Sequence, residues 1–310
     1  MTAHWQLPTA LALCAMVLGL SPPARAQSAP EPSAPAALAG TLAKVRASGT
    51  ITIGYRESSV PFSYLSARNE PIGYSIELCR ALVASIEDAV NRSLQIRWMP
   101  VTSESRIDEV VKGQVDLECG STTSNLERQK RVSFSPTMFV SGTKLLVKKG
   151  SPIKSFRDLK GKKVAVTLAT TNEKTMRELS DKFKLDLTLL VMRDHAESFA
   201  QVTGGQADAF ATDDVLLYGL IAQNRGKVPG EYEVVGEFLS YDPYGIMFRK
   251  DDPQLAKVVN ESFHALAEEG EIERQYKRWF LRKLPSGNSI DLPMSPQLQT
   301  LIQTMAVKAE

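Results

Sequence analysis

The chain has 310 residues, 43% of them hydrophobic and 23% charged, which is material for two packed domains of ordinary size. Its 37 Lys and Arg stand against 35 Asp and Glu, too even a balance for a general nucleic-acid binder, which needs a net basic field. Three cysteines and three histidines are too few for a disulfide scaffold or a Cys/His zinc array, and no stretch after residue 20 approaches the ~20 apolar residues that cross a membrane.

The first apolar run covers residues 7–20. Ser21-Pro22-Pro23 breaks it, and Ala24-Arg25-Ala26 follows as a small-x-small site. Residues 1–26 therefore read as a secretory signal peptide cut after Ala26, although residues 1–7 carry no Lys or Arg. A membrane anchor is the alternative, and the run is short for one. Cleavage would remove one basic and no acidic residue, leaving a formal charge of about +1. Residues 27–40, rich in Ala, Pro and Ser, read as a disordered linker. Export permits a disulfide between Cys79 and Cys119; two separate thiols are the alternative, because spacing alone does not bring two Cα atoms within ~7 Å.

Short β-rich runs then alternate with amphipathic helical ones. Residues 51–54 read as a strand, 75–89 as a helix with apolar residues at 78, 82, 83, 86 and 89, and 94–101 as a strand. A helix over 104–112 closed by Gly113 and a strand over 115–118 complete the series. The order repeats: strands over 163–167, 187–192 and 207–212 alternate with helices over 170–183, 195–203 and 213–224. Such alternation predicts an α/β fold of mostly parallel sheets covered by helices. The β-rich stretches 139–147 and 244–249 lack helices and predict two crossings between lobes. Helices over 253–269 and 271–280 would pack back on the first lobe. A ligand site then belongs in the cleft, at the C-terminal ends of the parallel strands.

Enzyme motifs are scarce: no G-x-G-x-x-G, Walker A loop, G-x-S-x-G or H-E-x-x-H occurs. Polar residues instead follow successive strands. Arg56 follows the first; Ser103 and Arg106 the second; Ser121, Thr122, Thr123 and Arg128 the third. In the second series Thr170 and Thr171, then His195, then Asp213 and Asp214 occupy the equivalent places. Three arginines and a histidine favour anions, and arginine forks bind carboxylates bidentately. Thr170-x-x-Glu173 is a capping box whose free N–H groups also suit an anion. Asp213 is the acid placed to meet an ammonium. This inventory fits a small ligand with one amine and two carboxylates. Structural alternatives exist for each residue: Arg56 paired with Glu57, Arg106 and Arg128 on solvated helix faces, Ser103, Thr170 and Asp213 as helix caps, His195 as a partly buried ring.

Gly73-Tyr-Ser-Ile-Glu-Leu-Cys-Arg-Ala-Leu82 resembles the signature of family 3 solute-binding proteins of polar amino-acid ABC importers, with Ser75 in place of the usual acid. Residues 55–63, Glu118-Cys-Gly-Ser-Thr-Thr123, Glu127-Arg-Gln-Lys130 and Asp194-His195 resemble the acidic-ligand branch of that family; residues 159–166 and 249–253 fit it more widely. The resemblance covers about residues 41–305. It implies a type II periplasmic-binding-protein fold, two lobes joined by a two-strand hinge, with residues 41–140 and 242–284 in lobe 1, 141–241 in lobe 2 and 285–310 as a C-terminal tail on the lobes. By the same resemblance Arg128, Thr123 and Thr171 hold the α-carboxylate, Asp213 and Ser121 the α-ammonium, and Arg56, Ser103, Arg106 and His195 a side-chain carboxylate. Glutamate and aspartate are the implied ligands. The implied partner is an ABC importer permease in the inner membrane, and the implied form is a monomer in the periplasm with no catalysis, cofactor or metal. Periplasmic dehydratases and amino-acid sensors share the fold; the first need no amine grip, and the second continue into a transmembrane helix.

Overall fold

The two strand–helix series build two separate sheets in the computed structural model, which describes residues 1–4 and 37–307. The signal-peptide cleavage site and most of the linker lie outside the described residues. The chain divides into two compact units, Met1–Ala37 and Leu38–Glu310, and every element below belongs to the second.

The first sheet has the strand order Gln95–Pro100, Thr50–Tyr55, Leu117–Glu118, Met247–Arg249, Val132–Phe134. Its first three strands are parallel, joined by right-sized helical crossovers, the helices Tyr74–Val90 and Arg106–Val111. The second sheet runs Thr188–Met192, Lys163–Thr167, Ala209–Asp213, Thr143–Lys148, Tyr232–Val235. Again three strands are parallel, with the helices Thr171–Phe183 and His195–Thr203 between them. The fourth strand of each sheet runs antiparallel to both its neighbours, so the fifth points the same way as the first three. The sheets are thus more mixed than the alternation alone suggests, because the crossing strands Thr143–Lys148 and Met247–Arg249 pair into them in reverse.

Period-2 alternation explains the cores. In the second sheet Leu145, Val147, Val164, Val166, Ala209 and Ala211 enter one buried cluster. Their neighbours Leu146, Ala165 and Phe210 enter another on the opposite face. In the first lobe the apolar stripe of Tyr74–Val90 meets the returning helix Pro253–Glu268, with Leu78, Leu82, Ile86, Val259 and Phe263 in one core. The helix Glu271–Tyr276 continues through a π turn at Lys277–Leu281. A last helix, Pro296–Ala306, buries Leu298 and Ile302 in that same core.

The β-rich stretches resolve at the crossing. Phe139–Ser141 pairs antiparallel with Asp242–Tyr244 as an isolated two-stranded ribbon. Phe139 and Tyr244 are rooted in first-lobe aromatics: Phe62 lies 4.9 Å from Phe139 and 5.1 Å from Tyr244, and Phe280 lies 5.0 Å from Phe139 between ring centroids. Offset and edge-on aromatic packing of this kind holds the ribbon to one lobe.

Cys79, on the helix Tyr74–Val90, is disulfide-bonded to Cys119, just beyond the strand Leu117–Glu118, with Cα atoms 6.3 Å apart. Ser75 Oγ donates to the Gly120 carbonyl at 2.7 Å in the same place. Both links tie the start of this helix to the loop that carries Ser121. The bond closes a loop of 40 residues, so replacing both cysteines by alanine should lower the unfolding free energy by about 2–4 kcal/mol. Urea denaturation of the double variant measures this, and an unchanged midpoint would contradict it.

Candidate ligand-binding site

Each parallel strand ends at the same cleft, and the chain turns there into loop or helix. Arg56, Arg106, Ser121, Thr123, Thr170, Thr171, Asn172, His195, Asp213 and Leu216 line one small cavity. Ser103 and Arg128 line the adjoining groove together with Thr170 and Thr171. All ten predicted strand-end residues from Arg56 to Asp213 that carry a proposed contact or helix cap therefore come together. Thr122 and Asp214 do not face the cavity: Thr122 supports from behind, and Asp214 accepts from Ser141 Oγ at 2.6 Å.

Several structural alternatives fall away. Arg56 does not pair with Glu57; it is 2% exposed and its Nη2 is 3.4 Å from Ser103 Oγ. Arg106 and Arg128 are buried rather than solvated. Arg128 donates from Nη1 to the Thr123 carbonyl at 2.8 Å, and its own N–H donates to Asn125 Oδ1 at 2.9 Å. Asp213 precedes the helix Asp214–Asn224 without capping it. Thr170 does cap its helix, accepting from the Glu173 N–H at 3.1 Å, while Glu173 reaches back to the Ala169 N–H. That role leaves Thr170 at the cavity wall as a shaping residue.

The arginines are poorly compensated. Burial first, and repulsion from Arg106 second, bring Arg56 down to about 9 and Arg128 down to about 10. Burial likewise lowers Arg106. The nearby acid is Glu118, fully buried, whose Oε2 accepts from Thr122 Oγ1 at 2.6 Å while Thr122 Oγ1 accepts from Arg106 Nη1 at 2.6 Å. Arg56 Nη1, Arg106 Nε and Ser121 Oγ are buried without a hydrogen-bond partner. Orphaned buried donors cost about 1–3 kcal/mol each, more when charged. A carboxylate is the partner that would relieve both the charge and the donors.

The second lobe supplies the opposite sign. Asp213 accepts from Asn172 Nδ2 at 2.8 Å and from the Tyr244 hydroxyl. Burial, then the charge of Asp242, pushes its carboxyl up to about 8. An ammonium would reverse that shift. His195 Nδ1 is bound to Thr167 Oγ1 at 2.9 Å, and Thr167 Oγ1 to Ser198 Oγ at 3.0 Å. Burial, then Arg56 and Arg106, hold the ring well below the usual imidazole value, so His195 faces the cleft as a neutral imidazole rather than a ready cation. Between the lobes Thr123 Oγ1 stands 3.5 Å from Thr171 Oγ1, and Thr123 Oγ1 donates to Asp242 Oδ1 at 3.0 Å.

Sequence reasoning missed Glu118, Asn172 and Tyr244. Glu118 closes its strand and Asn172 opens its helix, so both stand beside residues already singled out. Tyr244 sits in the crossing ribbon, outside the two strand–helix series, and no local signal marks it. Among the described residues no group of three or more His, Cys, Asp or Glu is placed to hold a metal ion. No helix among them is long and apolar enough to cross a membrane.

Two lobes, a two-stranded crossing and a closed polar cleft define a bilobal solute-binding protein. The chain belongs to family 3 of the bacterial extracellular solute-binding proteins, whose model matches residues 51–282. It is 41% identical over 281 residues to the glutamate/aspartate import solute-binding protein of Salmonella typhimurium, spanning 90% of this chain and 92% of that one. It is 42% identical over 275 residues to the L-glutamate/L-aspartate-binding protein of Pseudomonas aeruginosa, spanning 88% and 90%. Among solved structures, an ancestral arginine-binding protein bound to glutamine superposes with a TM-score of 0.68 at 28% identity, over 76% of this chain and 99% of that one.

A carboxyl raised above its unfolded value keeps a proton that the unfolded chain has already released, so it costs stability as pH climbs. For Asp213 that window runs from the ordinary 3.8 to about 8. Asp213→Asn should therefore raise the melting temperature of the ligand-free protein most above pH 8, with the gain shrinking as pH falls toward 4. Thermal melts across this range decide it; a gain independent of pH would assign the effect to packing.

Proposed function

We propose that this protein captures glutamate and aspartate in the periplasm and delivers them to the permease of an ABC importer, performing no bond chemistry. One observation carries the reading: buried Arg56, Arg106 and Asp213 line one small cavity, and buried Arg128 lines the groove beside it. A zwitterion with an additional carboxylate satisfies both signs at once. The names of the Salmonella typhimurium and Pseudomonas aeruginosa relatives support the same ligands.

In this reading Arg128, Thr123 and Thr171 take the α-carboxylate, and Asp213 and Ser121 the α-ammonium. Arg56, Ser103, Arg106 and His195 take the side-chain carboxylate, His195 as a hydrogen-bonding imidazole. Residues 41–140 and 242–284 form one lobe, residues 141–241 the other, and residues 285–310 a tail upon them. Ligand bridges the lobes and shifts the balance between open and closed cleft. The protein acts as a monomer without cofactor, metal or nucleic acid, after removal of residues 1–26.

Calorimetry with glutamate, aspartate, glutamine, asparagine and arginine tests the assignment. Glutamate and aspartate should bind most tightly, and tighter binding of arginine or of neither acid would overturn it. Arg128→Ala should abolish binding of every amino acid, costing about 3–5 kcal/mol for a buried partner left alone. Arg106→Ala should cost about 2–5 kcal/mol for the acidic ligands and less for glutamine. An equal loss for acidic and neutral ligands would show that Arg106 does not read the side chain.

A further inference from the structure

Glycine is the poorest helix former after proline, yet Gly219 stands inside the helix Asp214–Asn224, among buried Leu216, Leu217 and Leu220. Its φ is not positive, so backbone conformation does not demand glycine there. The demand comes from across the cleft. A Cβ built on Gly219 would stand 2.7 Å from the Val60 carbonyl carbon, and nearer still to the carbonyl oxygen, against the 3.4 Å of ordinary contact.

Val60 lies in the first lobe, between Arg56 and the strand Ser63–Leu65. That loop is pinned: the Tyr74 N–H donates to the Pro61 carbonyl at 2.8 Å and the Ser75 N–H to the Phe62 carbonyl at 3.0 Å. The helix belongs to the second lobe, following the strand Ala209–Asp213, and its Leu216 lines the cavity. Its Val215, Leu216 and Ala222 share a buried cluster with Val60 and Phe62. Neither backbone has a flexible side-chain end to give way. We infer that Gly219 is a positioning residue for cleft closure: the bare backbone at 219 lets the Val60 carbonyl seat against the second lobe, and any side chain there props the cleft open. The inference rests on the reading of the cleft as a ligand clamp.

Gly219→Ala in the mature chain tests it. The apparent affinity of a clamp falls with the fraction that can close. Calorimetry should show glutamate and aspartate weakened by at least about tenfold and by the same factor, since residue 219 meets the closure and not the ligand. The loss should appear in the dissociation rate. Small-angle scattering at saturating ligand should give a larger radius of gyration than wild type. The ligand-free melting temperature should not fall, because alanine is the better helix former. Gly219→Ser, with the same Cβ, should reproduce the affinity loss. Wild-type affinity and compactness in either variant would overturn the inference, as would an affinity loss that follows a lowered ligand-free melting temperature. Should wild type bind neither acid, the ligand reading fails, and the same comparison of affinity and ligand-saturated scattering is made with whichever of glutamine, asparagine or arginine binds.

Discussion

Three guanidinium groups taken out of water into one cleft set the terms for the rest of this molecule. Each buried ion costs several kcal/mol unless it is paired and hydrogen-bonded. Arg56, Arg106 and Arg128 have the fully buried Glu118 close by, which meets Arg106 through the hydroxyl of Thr122, and Arg128 also feels the charge of buried Asp242 on the ribbon. The remaining bonds are to neutral groups, the Thr123 carbonyl and the Ser103 hydroxyl. Buried charges so arranged are poor contributors to stability, and apolar side chains of similar volume would serve a core better. The two lobes supply the excess through their cores: the first gathers helices and the crossing ribbon on one cluster, the second covers both faces of its sheet. The cleft is where that stability is given up for affinity.

The crossing ribbon is more than a connector. Tyr244 belongs to the ribbon strand Asp242–Tyr244 and its ring packs among first-lobe aromatics, yet its hydroxyl donates to Asp213 at the end of a second-lobe strand. Asp242 on the same strand accepts from Thr123 of the first lobe. The acids of the cleft are therefore wired to the ribbon itself. In the proposed clamp, a change in the charge of Asp213 would be felt at the ribbon between the lobes, which would couple occupancy of the cleft to its geometry without a separate relay.

Much of this was legible in the sequence for a simple reason. Strands of five or six residues with alternating or continuous apolar runs, and helices such as Tyr74–Val90 with a clear stripe, carry their period within themselves. Their ends then place Arg56, Ser121, His195 and Asp213 without further information. The elements that escaped are those whose partners are remote. Ser58–Ser59, Ser63–Leu65 and Pro71–Ile72 are too short to show any period. Tyr232–Val235 is an edge strand paired with Thr143–Lys148, and none of its residues is fully buried. Pro296–Ala306 did offer a signal, Ser295 as cap and proline at the first turn. In the site, the neutral state of His195 was illegible because it depends first on burial in the cleft and then on Arg56 and Arg106 arriving from another lobe.

The division of charge between lobes gives the proposed ligand its particular leverage. The arginines stand on the first lobe, and Asp213 ends a second-lobe strand. A free anion would satisfy the first lobe and leave Asp213 buried without a cation. A simple amine would satisfy Asp213 and leave the guanidiniums repelling one another. An amino acid carries both signs a few bonds apart, so one molecule must touch both lobes to be satisfied. A ligand shifts a two-state equilibrium by its difference in affinity for the two states. Here that difference is built in, because the open cleft can offer a zwitterion one sign and the closed cleft offers both. Selectivity for a second carboxylate then follows from charge count: one α-carboxylate leaves part of the arginine excess standing, and a dicarboxylic amino acid answers more of it.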